Sequence, residues 1–116
     1  MDISKSVKNS ECIGTVIIFS GRLDPNWNID QSIVNKLKEL WNVMEPYHGD
    51  LPTPPLLGYR GSYMKCDDTE RFVFNKVVTM KRMGRSESRS DKDRKFEKLL
   101  LDSAPKGIFP DSILIV

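Results

Sequence analysis

Asp24, Asn26, Asn28 and Asp30 stand at every second position of "SGRLDPNWNID", residues 20–30, just ahead of a segment with helical periodicity. Side-chain oxygens at that spacing are what positions 1, 3, 5 and 7 of an EF-hand-type calcium loop supply. Such a loop also needs glycine at its sixth position and a bidentate glutamate at its twelfth, where this chain has Ile29 and Asn35. The residues suit a turn and a helix start better: Asp24 with Pro25 opens a turn, and Asp30 is a fitting N-cap. No metal or other cofactor is expected. Gly21 and Arg22 precede free helix amides that could hold an anion, but Asp24 and Asp30 bring negative charge to the same end, and no GxGxxG or Walker pattern accompanies them. A turn would not require Gly21, Arg22 and Trp27. These three, with Tyr47, Tyr59 and Arg60 from a later loop, are the expected binding residues.

His48 is the only histidine, with Asp50 two residues on, and Cys66 is one of two cysteines. A histidine beside a carboxylate could do acid–base work, or activate a thiol, given the right geometry. The sequence does not supply that geometry, so a small enzyme with a loop His/Asp site ranks third among the functions considered, and no catalytic residue is assigned. Residues 76–98 hold nine Lys or Arg against four acids. Clustered cations displace counterions from a phosphate backbone, which makes Lys81, Arg82, Arg85 and Arg89 the expected residues of a nucleic-acid-binding alternative. "YRGSYMK" carries basic, glycine and aromatic residues, as RNA-recognition strands do. Its aromatic spacing is wrong, and the first strand offers only Phe19.

The elements that would position these residues follow from periodicity. "IGTVIIFS", residues 13–20, is β-branched and apolar on both alternating faces, as an interior strand is. "QSIVNKLKELWNVM" puts Ile33, Val34, Leu37, Leu40, Trp41 and Met44 on one helical face, with Ile29 as a staple onto Val34. "EPYHGDLPTPPLLG" has four of the seven prolines and reads as an extended surface connection. "YRGSYMKC" and "RFVFNKVVTMK" read as two strands of a hairpin turned at "DDTE", and "RMGRSESRS" as a loop. "SDKDRKFEKLLLDS" reads as a second helix capped by Ser90, with Phe96, Leu99, Leu100 and Ser103 facing inward, and "SILIV" as a last strand.

The resulting order is βαββαβ: an α+β two-layer sandwich of ferredoxin-like arrangement, with two helices on a four-stranded, mainly antiparallel sheet. Residues 1–12 are expected to be a flexible arm and 13–116 a single domain. At 116 residues, 39% hydrophobic and 29% charged, the chain is sized and composed for one ordinary core. A net charge of +2 is too small to make the whole surface a polyanion-binding field. Cys12 and Cys66 form no CxxC pair and are expected to be free thiols in a reducing cytoplasm. The polar start and the short apolar runs argue against a signal peptide and a membrane partner.

In the expected fold, Val16, Ile18, Val73 and Val77 would burden the sheet face that the helices leave open. A homodimer or a protein partner could cover them, as could the proline-rich loop. The leading expectation is therefore a non-enzymatic interaction or accessory protein that binds itself or a protein partner through an apolar sheet face and its flanking loops.

Overall fold

The computed structural model describes residues 11–18, 23–56 and 58–109. Its elements are β1 (Cys12–Val16), β2 (Asn26–Asn28), α1 (Gln31–Val43), β3 (Ser62–Cys66), β4 (Thr69–Phe74), β5 (Val77–Arg82), β6 (Arg85–Ser90) and α2 (Lys95–Asp102). The strands form one antiparallel sheet in the order β2-β1-β3-β4-β5-β6.

The protein is α+β, but the sheet has six strands, and the four-stranded ferredoxin-like layout is wrong. The difference arises mainly at two tight turns that the sequence reading did not foresee. Asn75 and Lys76 both have positive φ, and so do Met83 and Gly84, the backbone of a two-residue hairpin turn whose twist matches that of the flanking strands. "RFVFNKVVTMK" therefore folds back on itself as β4 and β5, and "RSESRS" becomes β6 instead of a loop. Gly84 supplies the left-handed conformation at no steric cost. With Asp67 at positive φ in the β3–β4 turn, the four strands run as a continuous meander. "NWN" pairs with β1 as a short edge strand where a turn was expected. The expected last strand, and all of the expected arm except Glu11 and Cys12, lie outside the described residues. Cys12 opens β1.

α1 follows the apolar periodicity: Val34, Leu37 and Trp41 are buried, and Ile33, Leu40 and Met44 pack against them. Asp30 caps it, its carboxylate accepting from the Ser32 amide at 3.2 Å. α2 starts later than expected and is capped from a distance. The buried Asp91 carboxylate accepts from the amides of Phe96 (3.0 Å) and Glu97 (3.1 Å), leaving Arg94 at positive φ as the helix entry. Both helices contribute to the core over one face of the sheet. Beyond α1 the chain runs along the open edge of β6: the Ser90 amide donates to the Glu45 carbonyl and the Tyr47 amide to the Ser88 carbonyl. That pairing protects an edge that would otherwise present unpaired backbone groups.

Register sorts the residues cleanly. Successive strand residues point to opposite faces, so the cross-strand row Gly14, Met64, Arg71, Met80, Glu87 lies on the helix side, as does the row Val16, Ser62, Val73, Val78, Arg89. Val16 and Val73 are thus core residues, fully buried, and not the exposed burden the four-stranded arrangement implied. The outer face carries Thr15, Tyr63, Phe72, Thr79 and Ser88 in one row, and Ile13, Lys65, Glu70, Lys81 and Ser86 in the next.

Cys12 and Cys66 are directly opposed on β1 and β3 and joined as a disulfide, which overturns the expectation of free thiols. The sequence separation of 54 residues hid a pairing that strand register makes immediate. A cross-link closing a loop of that length stabilises by about 4 kcal/mol on chain-entropy grounds.

Gly14 is closely packed under a core side chain. A Cβ there would lie 2.8 Å from the Trp27 ring, closer than carbon atoms approach. Gly14→Ala is expected to lower stability by about 1–3 kcal/mol through overpacking, measured by urea unfolding with tryptophan fluorescence.

Candidate functional site

Three regions hold groups that could act on something outside the chain. The first lies where the proline-rich connection reaches the sheet. Leu51 and Pro52 line a groove of about 330 Å³ with Phe72, Phe74, Val77 and Thr79 of the outer face, and Glu70 and Lys81 complete it. Phe72 and Phe74 are half-buried, and Leu51 is 57% exposed at the rim. Its size is at the low end for a small-ligand pocket and suits one or two apolar side chains.

The second is a buried polar cluster between the same connection and α2. The Tyr59 hydroxyl donates to Glu97 Oε2 at 2.5 Å and lies 3.0 Å from Ser62 Oγ. Arg94 Nη1 donates to Glu97 Oε1 at 3.2 Å. The Glu97 side chain is 0% exposed. Burial raises its pKa, while the Tyr59 hydrogen bond and the Arg94 charge pull it back down. Burial, then the Glu97 charge, raises the Tyr59 phenol above its ordinary value. Closed and internally paired, this cluster ties the loop to the helix instead of presenting a reactive group.

The third region is the helix-side surface of the β4–β6 meander. Arg89 Cζ lies 4.3 Å from the Trp41 ring centre and Arg71 Cζ 5.7 Å from it, so two guanidiniums share one indole. Arg89 donates through Nη1 to the Trp41 carbonyl at 2.7 Å and through Nε to Glu87 at 2.8 Å. Arg71 is 9% exposed, and its buried Nε has no hydrogen-bond partner among the described residues. Burial, and then the Arg89 charge, lowers its pKa. At the open end Arg82 and Arg85 are cross-strand partners on the same face, beside a trough of about 530 Å³ that includes Met80 and Met83.

The expected binding residues do not converge. Gly21 and Arg22 lie outside the described residues. Trp27 is a core lid, 5% exposed, with Nε1 donating to Ser103 Oγ at 2.8 Å and its ring 6.0 Å from Phe109. The Tyr47 hydroxyl donates to the Asp50 carbonyl at 2.7 Å within the loop, Tyr59 belongs to the buried cluster, and the Arg60 amide donates to the Ile17 carbonyl. Arg82, Arg85 and Arg89 share the helix-side face, whereas Lys81 points to the other. His48 and Asp50 are exposed, and Cys66 is bonded to Cys12, which removes the thiol a Cys–His pair would need. Asp24 accepts from the Ile18 amide at 3.1 Å, a turn contact. Among the described residues no group of three or more His, Cys, Asp or Glu could hold a metal ion.

Sequence reasoning missed Arg71, Asp91 and Glu97. Arg71 had a usable signal, since it keeps the phase of Val73, but that phase acquires meaning only once β4 is separated from β5.

Glu97 makes stability depend on pH. A carboxyl whose folded pKa is raised binds its proton more tightly when folded, so its contribution is complete below the unfolded pKa and is lost as pH rises through the folded one. Urea midpoints should therefore decline as pH rises above the ordinary carboxyl range, and Glu97→Gln should flatten that decline.

No family model matches the chain, and no curated protein or solved structure matches it either.

Proposed function

We propose that this is a non-enzymatic binding protein whose outer sheet face takes an apolar segment of a protein partner or of a second copy of itself. The observation that carries the reading is the groove between Leu51 and Pro52 of the connection and Phe72, Phe74 and Val77 of the sheet. Its walls are aromatic and aliphatic, and proline restricts the chain on one side, so little conformational freedom is lost on binding. Glu70 and Lys81 at the groove supply charges that would orient a bound segment. This apolar face is not the one expected from the sequence, since its residues are Phe72 and Phe74 in place of Val16 and Val73, but it calls for the same kind of partner.

Among the described residues no helix is long and apolar enough to cross a membrane. The proposal of a cytoplasmic protein leaned partly on free thiols. Paired Cys12 and Cys66 suit an oxidising compartment better.

A random peptide-display library panned against the intact protein should enrich apolar-centred peptides. Leu51→Asp, on the exposed rim, should weaken the selected peptides by about tenfold or more while leaving the thermal midpoint unchanged. Sedimentation of the wild-type protein and of Leu51→Asp separates the two occupants, because a dimer using this face would dissociate in the variant. An unaltered monomer that selects no peptide would remove the proposal.

A further inference from the structure

The helix-side surface of the meander lies on the opposite face of the sheet from the proposed peptide groove and has different chemistry. Four arginines belong to it, Arg82 and Arg85 exposed, Arg89 partly buried and Arg71 buried beneath. The pairings Arg71 with Met80, Arg82 with Arg85, and Val78 with Arg89 place all four guanidinium-bearing residues in one phase of the pleat. From Arg85 to Arg89 is four residues along β6, about 13 Å at strand rise, a length that accommodates more than one phosphate group. Between them Met80 is half-buried, and at the tip Met83 is 78% exposed.

The acids on this surface do not balance the cations. Glu87 engages Arg89 at 2.8 Å. Asp68 lies 3.6 Å from Arg82, and both side chains are more than half exposed, where such a pair contributes little. Arg71 is nine-tenths buried with Nε unpartnered among the described residues, beside a second guanidinium on the same indole. Burying an unsatisfied cation next to another cation lowers stability. An anion held by the exposed arginines nearby would offset part of that repulsion. Guanidinium forks match the geometry of phosphate oxygens, and stacking on Trp41 orders two of the forks in advance.

We propose that the helix-side face of the β4–β6 meander binds the phosphate backbone of a single-stranded nucleic acid, with Arg82, Arg85 and Arg89 as donors and the buried Arg71 adding its charge from beneath. A linear array of cations on one face complements a ligand whose charge repeats along its length, and the thioethers of Met80 and Met83 give its bases an apolar surface. Lys81 has no part in the site, because it stands on the other side of the sheet.

Fluorescence anisotropy with dye-labelled oligothymidylate and oligouridylate, using the full chain, tests this. Binding should weaken steeply with salt. The double variant Arg82→Glu, Arg85→Glu, at an exposed hairpin tip, should weaken it by about tenfold or more and lower the salt slope by about one for each phosphate contact removed. Lys65→Glu, on the outer face and outside the groove, should leave binding nearly unchanged. Arg71→Met should also weaken binding yet raise the urea midpoint, a combination that a purely structural arginine would not give. Absence of binding at low salt, equal loss in Lys65→Glu, or tighter binding of polyglutamate than of either oligonucleotide would overturn the assignment. The last outcome would point to an acidic protein partner instead.

Discussion

The register of the antiparallel ladder is the constraint on which both faces of this protein depend. Because the side-chain repeat along a strand is two residues, a slip of one would send Val73 and Val78 into water and carry Phe72 and Lys81 into the core. Several independent contacts hold the register. Cys12 and Cys66 fix β1 against β3 covalently. Trp27 lies over Gly14, where any side chain would obstruct it, and so aligns β2. The two-residue turns at Asn75–Lys76 and Met83–Gly84 leave the later strands no slack. Helix packing and the positions of the charged side chains follow from that alignment.

The same register explains how charge is distributed on a chain of net charge +2. On the outer face, Lys65, Glu70 and Lys81 alternate in sign along one row, an arrangement that cross-strand neighbours favour. On the helix-side face, Arg82 stands directly opposite Arg85, which such neighbours disfavour. The Met83–Gly84 turn sets these two like-charged positions side by side on one surface. Farther along the same face the Trp41 ring receives both Arg71 and Arg89. The polar cluster of Tyr59, Glu97 and Arg94 performs a different task at the N-terminal end of α2, where a buried carboxyl is satisfied by a phenol and a guanidinium and so anchors the end of the proline-rich connection.

Parts of this organisation were legible in the sequence. α1 was, because six apolar residues keep a 3.6-residue period and Asp30 provides a cap. Asp30 was correctly read as a cap residue, for which the side-chain chemistry is local. β6 was not legible. "RSESRS" has polar residues in both phases, so its membership of a sheet is decided by turns and by the chain running alongside it, and not by any apolar alternation. The Asn75–Lys76 turn lacks the glycine that usually announces a two-residue hairpin, which fused β4 and β5 into one expected strand. The basic character of residues 81–89 could be seen directly, but the sorting of Lys81 away from Arg82, Arg85 and Arg89, and the arrival of Arg71 beside them, required knowing which strand lay next to which. Long-range pairings escape local reasoning for the same reason, and the bond between Cys12 and Cys66 is the plainest case.

That bond has a mechanical consequence. It links residues 54 apart in sequence, and the segment so enclosed contains most of β1, β2, α1, the proline-rich connection and most of β3. A pulling force applied at the two chain ends would pass from Cys12 to Cys66 through the sulfur atoms and bypass everything between them. Only the flanking chain could lengthen, and roughly 180 Å of potential extension, at about 3.4 Å per residue over those 54 residues, would stay locked. Under tension the outer groove would therefore be dismantled from its β4 and β5 side alone, with its Leu51 and Pro52 wall carried on unstretched chain.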